Sequence, residues 1–393
     1  MAQWSNWSGR LQAEPAVIAV PGHEADVVDA VRGAARSGQG MRVVGAAHSH
    51  SPLVPTEGVL LDLARLQGVV DADVETGSAR LAAGTRIADL GAPLRERGLA
   101  LLNQGDIDRQ SIAGAIATGT HGTGRELRNL SAGLLAARIV LADAEIIECS
   151  ADAEPELFQA ARLNLGGLGV VTELNVAVRP AYRLQEKLWL EDTDAVLDRI
   201  DELVAATRHF EFFWMPGSER AACKSLEETL EEPIYPLGEE GKRRAWSDEV
   251  LANDRPDKHS EMEYSVPLES GPACFRALRE MLSRDFPDLA WPLEYRTLAE
   301  DDVWLSTAYR RATATLSVHQ GIDQPDEPLF RACEAIFRGF AGRPHWGKVH
   351  YLGGDELAAL YPRWNEWWRV RDAWDPDERF LNRHLRTLRP GRG

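Results

Sequence analysis

Two glycine-rich segments hold the residue types best suited to chemistry. The first, Gly45-Ala46-Ala47-His48-Ser49-His50-Ser51-Pro52, follows a short apolar run at 41–44. The second reads Ser111-Ile112-Ala113-Gly114-Ala115-Ile116-Ala117-Thr118-Gly119-Thr120-His121-Gly122-Thr123-Gly124. Both combine absent or tiny side chains with hydroxyls. Backbone N–H groups can then approach a phosphate closely, and the hydroxyls add donors. Neither is a G-x-G-x-x-G fingerprint opening a helix, and neither ends like a P-loop. A pyrophosphate could be held there by some other device, and tight turns alone would equally explain the glycines. Glu294 and Arg296 alternate in a strand-like run, 291–296, and therefore face the same way. Such a pair can bind neighbouring hydroxyls and keep both partners charged. Taken alone, an ordinary ion pair on a sheet is the simpler reading. His345 and His350 stand five apart with no carboxylate between them, so no metal is expected.

The rest of the chain must position these groups. Its 393 residues suggest two domains or one elaborate one. Lys plus Arg is 44 and Asp plus Glu is 61, a formal charge of −17. That balance argues against binding a phosphate backbone and so against nucleic acid. The four cysteines, Cys149, Cys223, Cys274 and Cys333, form no C-x-x-C. Neither a disulfide framework nor a thiolate zinc site is expected, and a reducing compartment follows. The start, with Trp4 and Trp7 among Ser, Asn and Gly, lacks the pattern of a signal peptide, and no apolar window is long enough to span a membrane. The expected location is cytoplasmic, with no membrane contact, and no protein partner is legible.

Glycine usage divides the chain. Residues 1–180 hold 21 glycines and 181–393 hold 12, whereas tryptophan goes from 2 to 10. A boundary is expected near Arg179-Pro180. In the first part the periodicity predicts a helix at 24–37, strands at 41–44, 59–63, 69–72 and 78–82, a helix at 87–96, a hairpin at 134–149 and a strand at 170–178. In the second, strands are expected at 182–190, 262–266, 291–296 and 312–318, and helices at 194–207, 329–340 and 356–368. The mix is neither regular βαβ nor all-β, so the expected class is α+β.

These motifs, in this order, resemble a known family. Arg42-Val43-Val44-Gly45-Ala46-Ala47-His48-Ser49, the second glycine-rich segment, Leu165-Gly166-Gly167-Leu168-Gly169-Val170-Val171-Thr172, Glu294-Tyr295-Arg296-Thr297, Arg343-Pro344-His345-Trp346-Gly347-Lys348 and Phe380-Leu381-Asn382 are similar to the vanillyl-alcohol oxidase superfamily, with its PCMH-type FAD-binding domain. They resemble most the branch of aldonolactone and alditol oxidases. The resemblance implies a two-part FAD-binding domain at 1–180, a substrate domain on a large antiparallel sheet flanked by helices at 181–370, and a segment 371–393 returning to the FAD domain.

It further implies FAD bonded covalently through His48, with His50 the competing histidine. The backbone of Val44, Gly45, Ala46, Ala47, His48 and Ser49 would wrap the pyrophosphate. Ser111, Gly114, Thr118, Gly119, Thr120, His121 and Val171 would line the rest, with Asn382 near the flavin. Glu294 and Arg296 would bind substrate hydroxyls. Lys348 would assist loss of the hydroxyl proton and stabilise charge on the reduced flavin. Asp106 and His319 stand where alditol oxidases have serine and threonine, which changes the hydroxyls that can be matched. Gly105 would leave room for O2 beside the flavin. The implied activity is oxidation of a carbinol of a sugar-like small molecule, with electrons passing to O2 and giving hydrogen peroxide. The alternatives are a dehydrogenase with another acceptor, or an oxidase of a specialised pathway acting on a glycosylated or nucleoside-like substrate. A binding protein without chemistry is disfavoured by the joint presence of Glu294, Arg296 and Lys348.

Overall fold

The computed structural model describes residues 2–391. The fold is α+β and is built on two sheet systems. In the first part, Val17–Ala19, Val59–Asp62 and Met41–Val44 form a three-stranded parallel sheet with Val59–Asp62 in the centre. The amphipathic helix Glu24–Ser37 buries Val27, Val28, Val31 and Ala34. It ends at Gly38, whose left-handed φ of 66° suits a residue without a Cβ. A six-stranded antiparallel sheet follows, in which Val170–Pro180 pairs with Leu134–Val140, Ser78–Ala82 and Leu99–Leu101. The predicted helix at 24–37, strand at 41–44 and hairpin at 134–149 are all present.

The chain changes sheets at 181–182. Arg183–Asp192 opens an eight-stranded sheet with all pairs antiparallel. Its order is Arg244–Trp246, Arg183–Asp192, Arg220–Thr229, His209–Trp214, Leu293–Leu298, Thr313–Gly321, His259–Pro267 and Arg343–Pro344. The helices Gly271–Asp285 and Glu327–Gly339 cover one face, burying Phe275, Leu278, Phe330, Cys333 and Phe337.

Four element readings change. The helix expected at 87–96 is a 3-10 turn, Ile87–Asp89, followed by the short helix Gly91–Arg95. The helix expected at 194–207 is interrupted at Arg199, leaving Thr193–Asp198 and Ile200–Ala206. The one expected at 356–368 is two, Gly354–Leu360 and Trp364–Trp374, because Pro362 between them cannot supply a helical N–H. Residues 112–118, inside the second glycine-rich segment and given no helix above, form the helix Ile112–Thr118, whose N-cap is Ser111 and whose end is Gly119 at φ 76°. The strand His209–Trp214 and the helix Gly271–Asp285 had no counterpart in the sequence reading. The expected boundary at 370 falls inside Trp364–Trp374. That helix lies on the first part of the chain: Trp367 Nε1 donates to Ala160 O (3.2 Å) and Arg371 Nε to Gly167 O (3.2 Å). Of the returning segment 371–393, the last two residues lie outside the described residues.

Candidate active site

Met41–Val44 delivers the chain into a cleft of about 110 Å3. Its wall is Val44, Gly45, Ala46, Ala47, His48 and Ser49, faced by Ser111, Gly114, Thr118 and Val171. Ala47 takes a left-handed φ of 56°. The turn is pinned from outside: Trp7 N–H donates to Ala47 O (2.9 Å) and Asn6 Nδ2 to Ser49 O (3.0 Å). Gly45 is required by a close approach, since a Cβ there would lie 1.9 Å from Ser111 Oγ. Ser111 Oγ in turn accepts from Gly114 N–H (3.3 Å). The two glycine-rich segments therefore meet at Gly45 and Ser111, in a cradle too narrow there for a side chain. Small residues and accessible backbone fit a dinucleotide.

The His48 ring stacks on Trp7 at 5.4 Å between centroids and 23°. Burial, then the positive charges of Lys348, Arg86 and Arg109, push its pKa down to about 4. Its imidazole is thus neutral with a free lone pair at neutral pH. His50 is turned away from the cradle: its N–H donates to Gly347 O (2.7 Å), and its ring lies 5.5 Å from that of His259. Gly105, Thr120 and His121, expected around the cofactor, line a second chamber instead, and Gly119 lines neither. Asn382 acts one layer further out. Its Nδ2 donates to Pro52 O (2.9 Å), Leu53 O (3.2 Å) and Pro55 O (2.9 Å), holding the chain that leaves the cradle.

The second chamber holds about 530 Å3, and Gln110 is shared between the two. The eight-stranded sheet forms its floor. Glu294 pairs in register with Ser317, Ser317 with Glu263 and His319 with Glu261, so alternate residues of three adjacent strands share one face. Glu294, Arg296, Lys348, His319 and Asp106 all line this chamber, though they span residues 106–348.

Arg296 is the hub. Its Nε donates to Glu211 Oε2 (2.9 Å), and its Nη2 lies 2.5 Å from Glu294 Oε1 and 3.6 Å from Asp106 Oδ2. The Glu294 contact is close but poorly aligned, and Glu294 Oε1 makes no aligned hydrogen bond. Burial drives the Glu294 carboxyl well above the usual carboxylate range, and Arg296 only partly offsets this. Asp106 behaves oppositely: burial would raise it, but Lys224, Arg296 and Arg255 hold it down to about 2. Lys224 is fully buried, 3.1 Å from Glu211 and 3.7 Å from both Glu186 and Glu240. Lys348 Nζ is ion-paired with Glu261. Burial would raise Glu261, yet Lys348 keeps it well below its ordinary value. His319 Nδ1 lies 3.2 Å from Pro292 O, and burial pushes this ring down to about 4.

The sequence reading assigned no role to Glu211, Lys224, Glu261 or Glu263. The signal was there for two of them: Glu211 interrupts Phe210-Glu211-Phe212-Phe213, and Glu263 sits in a strand-like run. Two trios have spacing that could hold a cation, His50–His259–Glu261 and His121–Glu263–His345. In each, the carboxylate is already engaged, by Lys348 and by His121 respectively.

A profile described as D-arabinono-1,4-lactone oxidase matches residues 174–254 and 238–388, and one described as FAD binding domain matches 15–150. The chain belongs to the D-arabinono-1,4-lactone oxidase family. An L-gulono-1,4-lactone dehydrogenase of Mycobacterium tuberculosis is 35% identical over 98% of both chains. L-Gulonolactone oxidase of Mus musculus is 26% identical over 98% of both. Alditol oxidase of a Streptomyces species is 28% identical over 98% of this chain and 99% of that one. A solved solvent-stable cholesterol oxidase superposes with a TM-score of 0.86 over 98% of this chain and 97% of its own; at 16% identity this shows the fold alone. Family membership makes the protein an FAD-dependent oxidoreductase acting on CH–OH groups.

Proposed function

We propose that this protein oxidises a carbinol of a polyhydroxylated substrate of the aldonolactone or alditol type, with FAD attached through His48 and O2 as the acceptor. The observation that carries the reading is the chamber of Glu294, Arg296, Lys348, His319 and Asp106 opening beside the small-residue cradle. The flavin, when bound, accepts the carbinol hydride and passes the electrons to O2, giving hydrogen peroxide. The chain's own residues do the rest. Glu294, with a free carboxyl oxygen, and Arg296 hold adjacent hydroxyls. Lys348 and Glu261 form the polar pair that receives the hydroxyl proton. Asp106, held ionised, rejects anionic substituents and accepts from a hydroxyl. Val44 to Ser49, Ser111, Gly114, Thr118 and Val171 bind the dinucleotide, and neutral His48 can bond to carbon. Residues 1–180 would be the FAD-binding domain and the eight-stranded sheet the substrate domain.

Gly105 lines the chamber without a side chain, which fits access of a small acceptor such as O2. The dehydrogenase name of the 35%-identical relative supports the second reading, another acceptor. A ring-stacking substrate gains little support from the tryptophans. Trp346, Trp364, Trp367 and Trp368 pack on one another in the core, and Trp291 is the one that lines the chamber among the described residues. A cytoplasmic location fits four buried free cysteines, and no described helix is long and apolar enough to cross a membrane. The test is a yellow protein pellet that survives acid precipitation and turns colourless in His48→Ala, followed by peroxide assays on lactones and alditols. Flavin that washes out in acid would remove the covalent link. Dye reduction without peroxide would favour the second reading.

A further inference from the structure

The eight-stranded sheet presents two unlike halves to the chamber. In register across six strands, Leu190 pairs with Ala222, Ala222 with Phe213, Phe213 with Glu294, Glu294 with Ser317 and Ser317 with Glu263. Cross-strand partners point to the same face of a sheet, so this is one continuous row. Its first three residues are apolar and its last three are polar. The next row changes earlier: Leu188 pairs with Lys224, and Lys224 with Glu211. Leu188, Ala222, Phe213 and Met215 all line the chamber.

The polar half is the end beside the cradle. Glu263 O accepts from His345 N–H (3.0 Å), and two residues on, Gly347 O accepts from His50 N–H (2.7 Å). The apolar half lies at the far end and is open. Leu188 is 46% exposed, Leu190 55% and Met215 42%. The opposite face of the same sheet is closed, with the rings of Phe212 and Trp214 against Phe275 of Gly271–Asp285 at 5.0 and 6.3 Å. Single exposed apolar side chains need no explanation, but these form one shelf that runs into the charged groups. Adjacent strands lie about 4.8 Å apart, so the run from Glu294 to Leu190 is about 14 Å long. The chamber, at about 530 Å3, falls within the range of about 300–1,000 Å3 that holds drug-sized ligands.

We propose that this shelf is the subsite for an aliphatic substituent, alkyl or acyl, carried by the substrate on the end away from the carbinol that is oxidised. The inference rests on reading the chamber as the site of a polyhydroxylated substrate. The hydroxyls lie on Glu294 and Arg296, and the aliphatic chain runs over Phe213, Ala222 and Leu188 toward solvent. The favoured substrate is an alkylated or acylated sugar or polyol rather than a free one. Each methylene that leaves water there adds up to about fourfold in affinity.

Calorimetric titration with methyl and octyl glucosides and the matching xylosides, kept below the micelle threshold, tests the shelf without turnover. Octyl should bind about tenfold more tightly than methyl, or better. Met215→Glu and Ala222→Asp should each bring that ratio to within about twofold, and Met215→Leu should retain it. The ratio is internal to each protein, so a general loss of folded material does not mimic the result. Octyl glycosides that bind no better than methyl ones to wild type, or a preference that survives both acidic substitutions, would overturn the proposal. So would a wild-type dimer that Met215→Glu dissociates, which would give the shelf to a second copy of the chain. A preference for octyl in a protein that oxidises no lactone or alditol would defeat the proposed reaction and leave the subsite standing. Equal binding in an active oxidase would do the reverse.

Discussion

The cradle and the chamber lie side by side and are built by opposite means. In the cradle the working surface is backbone. Gly45, Ala46, Ala47 and Gly114 withdraw their side chains, and the danger is one methyl too many, as at Gly45 against Ser111 Oγ. In the chamber the working surface is charge. Asp106, Glu211, Glu294 and Arg296, with Lys224 beneath, form a buried network in which the danger is one charge too few. On the proposed assignment, a cofactor common to many proteins would be held by shape and main chain, and the substrate selected by side chains that can vary without disturbing the fold.

The largest effect is expected in the chamber. Arg296→Met leaves Glu211, Glu294 and Asp106 without their shared cation. Breaking a buried pair from one side costs about 3–5 kcal/mol, and losing a positioned donor costs about 10²–10³-fold in turnover. An unfolding midpoint unchanged from wild type would show that the network carries no such energy.

Next comes Gly45→Ala in the cradle. Overpacking of this kind costs about 1–3 kcal/mol, which should appear as at least tenfold weaker retention of flavin with little change in the fold. Ser111→Gly in the same chain removes the obstructing side chain and should restore binding. Should the double variant bind no better than the single, the clash is not the cause.

Both regions share a pH response. Burial lowers the pKa of His48, His319 and His345 to about 4 and of His209 and His350 to about 3, from 6.5. Below 6.5 the unfolded chain takes up protons that the folded chain refuses, so stability is lost as pH falls from 6.5 toward 4. Melting temperature measured across that range should drop steeply and recover on return to neutral pH. A flat profile would mean these rings are not buried as described. Asp106 adds a separate loss only at lower pH, as it falls through about 2.

The smallest effect marks the contrast. Arg369 and Glu156 form an ion pair at 2.7 Å with side chains 57% and 66% exposed. Arg369→Ala should change stability by less than about 0.5 kcal/mol. A larger loss would remove the distinction between buried and exposed charge drawn above.

The glycine-rich segments were legible because a main-chain site must be written in small residues close together in sequence. The helix at 24–37 and the strands at 41–44 and 78–82 were legible through periodicity. Ile112–Thr118 was obscured by Gly114, Thr118 and Gly119, which have little helix propensity and are held by the Ser111 cap and the surrounding cradle. Lys224 left no mark, since a charged residue in a strand reads as its solvent face until the sheet buries it.

From the residues alone came the α+β class, the local chemistry of both glycine-rich segments, and the family resemblance that named His48, Glu294, Arg296 and Lys348. Tertiary structure alone decided which groups share a chamber. It turned His48 and His50 to different sides, moved His121 to the chamber wall and Asn382 to a supporting layer, and joined Glu211, Lys224, Glu261 and Glu263 to the site. The physical reason is range. Propensity and main-chain access act over a few residues and are written locally, whereas ion pairs and burial depend on strands far apart in sequence being laid side by side.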